Sequence, residues 1–259
     1  MLTATLYYNS IIKNYSKTLA STASEPTVAQ ATKYYLANIG SVTSISGLLN
    51  NDKLYNYVMT AFGLSDMMNA KGLIRQVLEG GVTSSTSLAN TLNDPRYKAL
   101  ATAFNFAANG AAATQATSAQ QDVVNNYVEQ TLETNAGQQN QGVQMALYFQ
   151  RMAPSITSAY SILGDKQLLS VVQTALGLSP LMSTEPIDTQ AALISKQLNI
   201  SDLQNPAKLQ QFIDRFTANY DAQNASAQST SPTLALFVNS PGISSNLLLQ
   251  LANLKLGGS

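Results

Sequence analysis

The residues able to do chemistry are few and scattered. Asp52-Lys53, Asp94 with Arg96, and Asp214-Arg215 are the local groupings of acid and base. Such groups transfer protons only when they are desolvated and aimed at one substrate. Each grouping stands at a helix start or beside a helix face, where capping and surface pairing account for it. The chain contains no Cys and no His. That removes the thiol nucleophile, the thiolate metal ligand and the commonest general base. No phosphate loop, dinucleotide fingerprint, nucleophile elbow or metal-ligand spacing occurs, and Gly40, Gly47 and Gly63 are dispersed turn glycines. Tyr34, Tyr35, Tyr55 and Tyr57 read as core aromatics rather than a ligand box. The expectation is a non-enzyme with no catalytic residue, no cofactor and no metal.

The elements that would position these residues are helical, and one helical unit occurs twice. An offset of 114 residues aligns Tyr34–Met68 with Tyr148–Met182 without a gap, with 13 identities in 35 positions. Leu54, Tyr57, Val58, Ala61 and Phe62 form one apolar helix face, and Leu168, Val171, Val172, Ala175 and Leu176 repeat its spacing. Gly63 and Gly177 then stand where a helix ends in the left-handed conformation, followed by Leu64 and Leu178 as the capping contact. The parallel continues at Asp94-Pro95 and Asn205-Pro206, each a cap residue before a proline at the first helical position. Leu100, Ala103, Phe104 and Ala107 give the face of the first of these helices. Leu209, Phe212, Ile213 and Phe216 give the face of the second.

Around this framework the pattern predicts a helix over 4–20, another from Ser24-Glu-Pro-Thr to Ile39, and one over 66–79 stopped by Gly80-Gly81. It predicts one or two long helices over 117–152, with a break in Asn135–Gly142. Asp221–Ser231 reads as a polar linker, and 232–259 as an apolar segment with Leu247, Leu248, Leu251 and Leu254. No strand alternation appears. The fold class is therefore all-α and multihelical, with two copies of a helical repeat and extra N- and C-terminal helices. The parts are an N-terminal helix (1–23), repeat one (24–115), repeat two (116–221), and a linker with an apolar C-terminal helix (222–259). One compact domain holding all of them is the alternative. The two terminal segments would be the adaptable parts.

Charged residues make up 11% of the chain and its formal net charge is zero. No basic stripe exists to meet a phosphate backbone, so nucleic acid is not an expected partner. No apolar run approaches the ~20 residues that span a bilayer. The first residues lack the basic and apolar regions of a cleaved signal. The expected location is cytoplasmic, or outside the cell by a route that uses no cleaved signal.

One resemblance adds to this. The run Tyr34-Tyr-Leu-Ala-Asn-Ile-Gly-Ser-Val-Thr-Ser-Ile-Ser-Gly-Leu-Leu-Asn-Asn-Asp-Lys-Leu54, then Ala61-Phe-Gly-Leu64, Leu92-Asn-Asp-Pro-Arg-Tyr97 and Ala103-Phe-Asn-Phe106, resembles a bacterial family of unknown function often encoded beside flagellar genes in proteobacteria. The resemblance covers the chain from about residue 16 to the tail. It implies an all-helical fold, a flagellum-linked role and a protein partner, either a flagellar component or the export machinery. The family has no established catalytic residues, so none carry over. The abundance of Ala, Ser, Thr, Asn and Gln and the lack of Cys agree with an exported flagellar protein. A cytoplasmic helical binding module or export chaperone is the alternative, and an enzyme with an unrecognised site is the second.

Overall fold

Short polar side chains start the helices. Thr3 accepts from the Leu6 N–H, Ser44 from Gly47, Asn51 from Leu54, Asp94 from Arg96, Asn140 from Gly142, Ser158 from Ser161, and Asn205 from Ala207 and Lys208. Each satisfies amides that a helix leaves without an internal partner. The computed structural model describes residues 2–228. Those residues are all-α. In chain order, the helices of the first part are α1 (Ala4–Lys13), α2 (Tyr15–Ala23), α3 (Pro26–Ile39), α4 (Ile45–Asn50), α5 (Asp52–Ala61), α6 (Lys71–Gly80), α7 (Leu88–Thr91), α8 (Pro95–Phe104) and α9 (Phe106–Asn109). The rest are α10 (Gln121–Gln139), α11 (Gln141–Met152), α12 (Ala159–Leu163), α13 (Lys166–Leu176), α14 (Ile187–Gln197) and α15 (Pro206–Gln228). None of the described helices is long and apolar enough to cross a membrane.

The apolar faces close two cores. One gathers Tyr35, Ile39, Leu48, Leu54, Val58, Ile74, Val77, Leu100 and Phe104, with Val123 and Val124 from the start of α10. The other gathers Leu132 and Ala136 from the end of α10, with Phe149, Leu168, Val172, Ile194, Ile213 and Phe216. Helix α10 therefore serves both cores along its length. Ala4, Tyr8 and Ile11 of α1 belong to the second core, although Tyr35 and Ile39 of α3, two helices along the chain, belong to the first. Three of the four singled-out tyrosines are core: Tyr35, Tyr55 and Tyr57 are buried. Tyr35, Tyr57 and Tyr127 stack with ring centroids 4.4 and 3.9 Å apart, contacts worth about 0.5–1.5 kcal/mol beyond burial. Tyr34 is half-buried beneath the Lys53 ammonium.

The helix stops are alike in the two stretches. Gly63 and Gly177 both take φ of +66°. Leu64 N–H donates to Met59 O at 2.8 Å and Gly63 N–H to Thr60 O at 2.9 Å. Leu178 N–H donates to Gln173 O at 2.9 Å and Gly177 N–H to Thr174 O at 3.3 Å. Both are the paired six-to-one and five-to-two bonds of a Schellman stop. A Cβ at Gly177 meets no atom within 4 Å, so Gly177→Ala isolates the backbone penalty. We expect a loss of about 1–2 kcal/mol in urea denaturation, with Gly177→Asn costing less because Asn tolerates this conformation.

Several boundaries differ from those the pattern predicts. The helix over 4–20 is two helices, bent at Asn14 (φ −125°, ψ 30°), which lets α1 lie on α11 and α2 on α10. The helix over 66–79 begins only at Lys71, after a 3-10 turn at Ser65–Met67 that follows from the Gly63 stop. The break within 117–152, by contrast, falls inside the predicted Asn135–Gly142, at Asn140, whose side chain starts α11. Helix α8 ends at Phe104 because Asn105 adopts the left-handed conformation, so Ala107 leaves the predicted face and is exposed. Asp221–Gln228, read as linker, continues α15. It holds no Gly or Pro, and its Ala and Gln residues favour the helix. The leucine-rich segment 232–259 lies outside the described residues.

Candidate functional site

Charged side chains with little exposure collect where the two cores meet. Asp94, before Pro95 at the start of α8, caps the Arg96 N–H at 2.9 Å. The turn this makes folds the Arg96 guanidinium back onto the same carboxylate. Nε lies 3.0 Å from both Asp94 oxygens and Nη2 lies 2.7 Å from Oδ2. Arg96 Nη1 donates to Gly63 O at 2.6 Å, which ties α8 to the helix stop of α5. Across the junction, Arg96 Nε is 3.6 Å from Asp165 Oδ2, and Asp66 stands 3.8 Å away on the exposed side.

Asp165 is the cap of α13. Its Oδ1 accepts from the Gln167 and Leu168 N–H groups at 2.8 and 3.1 Å. The buried Tyr148 hydroxyl donates to its Oδ2. Tyr148 in turn carries Arg151 against its ring face, 5.2 Å from the centroid. Arg151 makes a fork with Glu133, Nε to Oε1 at 2.6 Å and Nη2 to Oε2 at 3.0 Å, and also donates to Gln130 Oε1 at 2.8 Å. Glu129 stands 4.0 Å from Arg151 and accepts from the Tyr15 hydroxyl at 3.4 Å. One chain of contacts thus runs from Asp94 through Arg96, Asp165, Tyr148 and Arg151 to Glu133.

The electrostatics follow from burial and pairing. Burial works against the charge of Arg96, but the hydrogen bonds and charge of Asp94 outweigh it and hold its pKa above the ordinary arginine value. Arg151 is likewise buried, and Glu133 raises its pKa above the ordinary value. Burial first, and the Asp165 charge next, push the Tyr148 hydroxyl upward, so it remains a neutral donor. Burial also pushes the Glu133 carboxyl up, against the pull of Arg151.

A cleft of about 670 Å³ opens onto this junction, lined by Asp66, Arg96, Gln130, Asp165, Lys166 and Gln167 among others. Its deep charges are committed to the scaffold: Arg96 to Asp94 and Gly63, Asp165 to the α13 amides and Tyr148. Asp66, with a side chain 67% exposed, faces solvent. No group of three or more acidic residues able to hold a metal occurs among the described residues.

The predicted charge groupings fare differently. Asp94 and Arg96, expected as surface pairing, are largely buried and central to the junction. Asp94 does cap its helix. Asp52 pairs with Lys71 at 3.5 Å on an exposed face. Asp214 accepts from Gln210, and Arg215 lies over Phe212, so those two do not join the junction. No local spacing in the sequence marks Asp165, Arg151 or Glu133 as a group. The available signal was a charge inside an apolar run, Arg151 between Phe149 and Met152, in a chain with so few charges.

The comparisons with known proteins agree with this architecture. The crystal structure of protein AGR_C_984 from Agrobacterium tumefaciens is similar to this chain, with 43% sequence identity and a TM-score of 0.79. The match covers 85% of this chain and 93% of that one. No match was found among functionally curated proteins. A family model described as protein of unknown function (DUF1217) matches residues 61–209, which include Gly63 and every residue of the contact chain from Asp94 to Arg151 and Asp165. On both grounds, the chain belongs to the DUF1217 family of unknown function.

Proposed function

We propose that the protein is a non-enzymatic, flagellum-associated structural or assembly factor that acts by protein–protein contact. The observation that carries this reading is the use made of the buried charges. Arg96 and Arg151 spend their hydrogen bonds on Asp94, Gly63, Glu133 and Gln130, and Asp165 spends its own on a helix start. Groups held in this way serve the scaffold, and the 3.6 Å approach of Arg96 to Asp165 links one core to the other, whereas a catalytic pair needs a face left open to substrate. The flagellar part rests on the sequence resemblance and on a cysteine-free, amide- and hydroxyl-rich composition.

Deletion of the gene in a motile host tests the reading. The expected result is loss of swimming or of normal filament assembly, with the protein recovered alongside purified flagella or export complexes. Normal motility and normal filaments in the deletion strain would end it. Recovery only from the cytoplasm, with filament assembly still impaired, would favour the chaperone reading. An enzyme remains the second alternative because Asp66, Arg96 and Asp165 converge on one cleft; it requires a substrate that displaces Asp94 from Arg96.

A further inference from the structure

The first amides of α1 are all satisfied, but not from its own segment alone. Leu6 N–H reaches the Thr3 hydroxyl at 3.3 Å, and Tyr7 N–H reaches Thr3 O at 3.0 Å. Ala4 N–H and Thr5 N–H instead donate to the Asp221 carboxylate at 2.6 and 3.0 Å, and the Thr5 hydroxyl adds a third bond at 2.7 Å. A carboxylate 217 residues away from Ala4 thus completes the helix start. It sits where the positive end of the helix stabilises a negative charge.

The rest of the hold is mostly half-buried: Tyr7, Ile12, Tyr15 and Leu19 pack against the second core, Asn140 Nδ2 donates to Leu2 O at 3.2 Å, and the Tyr15 hydroxyl donates to Glu129 at 3.4 Å. Only Ala4, Tyr8 and Ile11 of α1 are buried, and only Thr22 of α2. Leu2 and Leu6 on the outer side are about 60% exposed. The Tyr8 hydroxyl donates to Gln150 of α11 at 2.8 Å, so the seat lies on the second core. The arm then returns to α3 and the first core through Ser24-Glu25. There the Glu25 carboxylate accepts from Asn135 Nδ2 at 3.1 and 3.2 Å. A segment with few buried side chains, fastened at one end by a charged clasp and at the other by a second, is built to open at lower cost than the cores.

We propose that α1 and α2 form a strap over the second core, clasped by Asp221, that opens as a unit while both cores stay folded. Opening uncovers the seat of Tyr8 and Ile11 on α11. The proposal concerns the scaffold and holds whether or not the flagellar reading does.

Hydrogen exchange of the full chain, read by mass spectrometry, tests it with Asp221→Ala and Asp221→Asn. In Asp221→Ala, exchange over residues 4–23 is expected to quicken on the order of tenfold or more, while α5 and α13 keep wild-type protection. Asp221→Asn, which keeps one acceptor oxygen, is expected to fall between. Unchanged protection over 4–23 in Asp221→Ala would overturn the clasp. Equal loss over 4–23 and α13 would overturn the separate opening of the strap.

Discussion

Replacing Arg151 with Met is expected to cost about 3–5 kcal/mol of folding stability at neutral pH, the usual range for removing one partner of a buried ion pair. The reason is Glu133, whose side chain is 3% exposed and whose two oxygens are both held by Arg151. Without that partner a carboxylate is left in the interior. The double variant Arg151→Met with Glu133→Leu is expected to recover most of the loss, because it removes the stranded charge as well. The pH dependence has a fixed sign. Burial already pushes the Glu133 carboxyl up, and the opposing charge of Arg151 is absent in the variant. The folded state therefore holds a proton over a range where the unfolded state has lost it, and stability falls as pH rises through that range. The deficit of Arg151→Met relative to wild type is expected to shrink on acidification toward the ordinary carboxylate range, as measured by urea denaturation across pH. A deficit that stays constant across pH would show that Glu133 is not its source.

Gly164→Ala is the second large effect. Gly164 has φ −73° and ψ −16°, a conformation open to any residue. The obstacle is space. A Cβ there would lie 2.6 Å from the Asn93 carbonyl carbon and 2.8 Å from both Asn93 O and Asp94 N. These are backbone atoms of the turn that carries the Asp94 cap, so relief requires the connection between α12 and α13 to move away from α8. We expect a loss of about 3 kcal/mol, the upper part of the range for overpacking. For a chain of this size that corresponds to a fall of about 6–12 °C in Tm. A change under about 0.5 kcal/mol, the scale of a neutral surface substitution, would mean that the two connections are not in firm contact.

Much of the fold is legible in the sequence because its signals are local. The Gly63 and Gly177 stops, the Asp94 and Asn205 starts and the apolar faces of α5 and α13 each need only a few neighbouring residues to be recognised. The left-handed φ of Asn105 ends α8 before Ala107 without a Gly or Pro to announce it. The bend at Asn14 is set by the surfaces α1 and α2 must reach, which no local pattern contains. The junction is harder still. Arg151 and Glu133 lie on different helices 18 residues apart, and Arg96 and Asp165 lie 69 apart in the numbering. The first pair appears only once α10 and α11 are packed, and the second only once α8 meets the start of α13. Spacing rules find sites built within one element, and this site is built between elements.

We expect the buried ion network and α10 to join the two cores into one cooperative body. Native-state hydrogen exchange in increasing urea measures this most directly, by comparing amides in α5 of the first core with amides in α13 of the second. Both sets are expected to exchange through the same opening, with one free energy and one urea dependence, and Arg151→Met is expected to lower both by the same amount. Protection that persists in one helix after the other has opened, or a loss in Arg151→Met confined to α13, would contradict it.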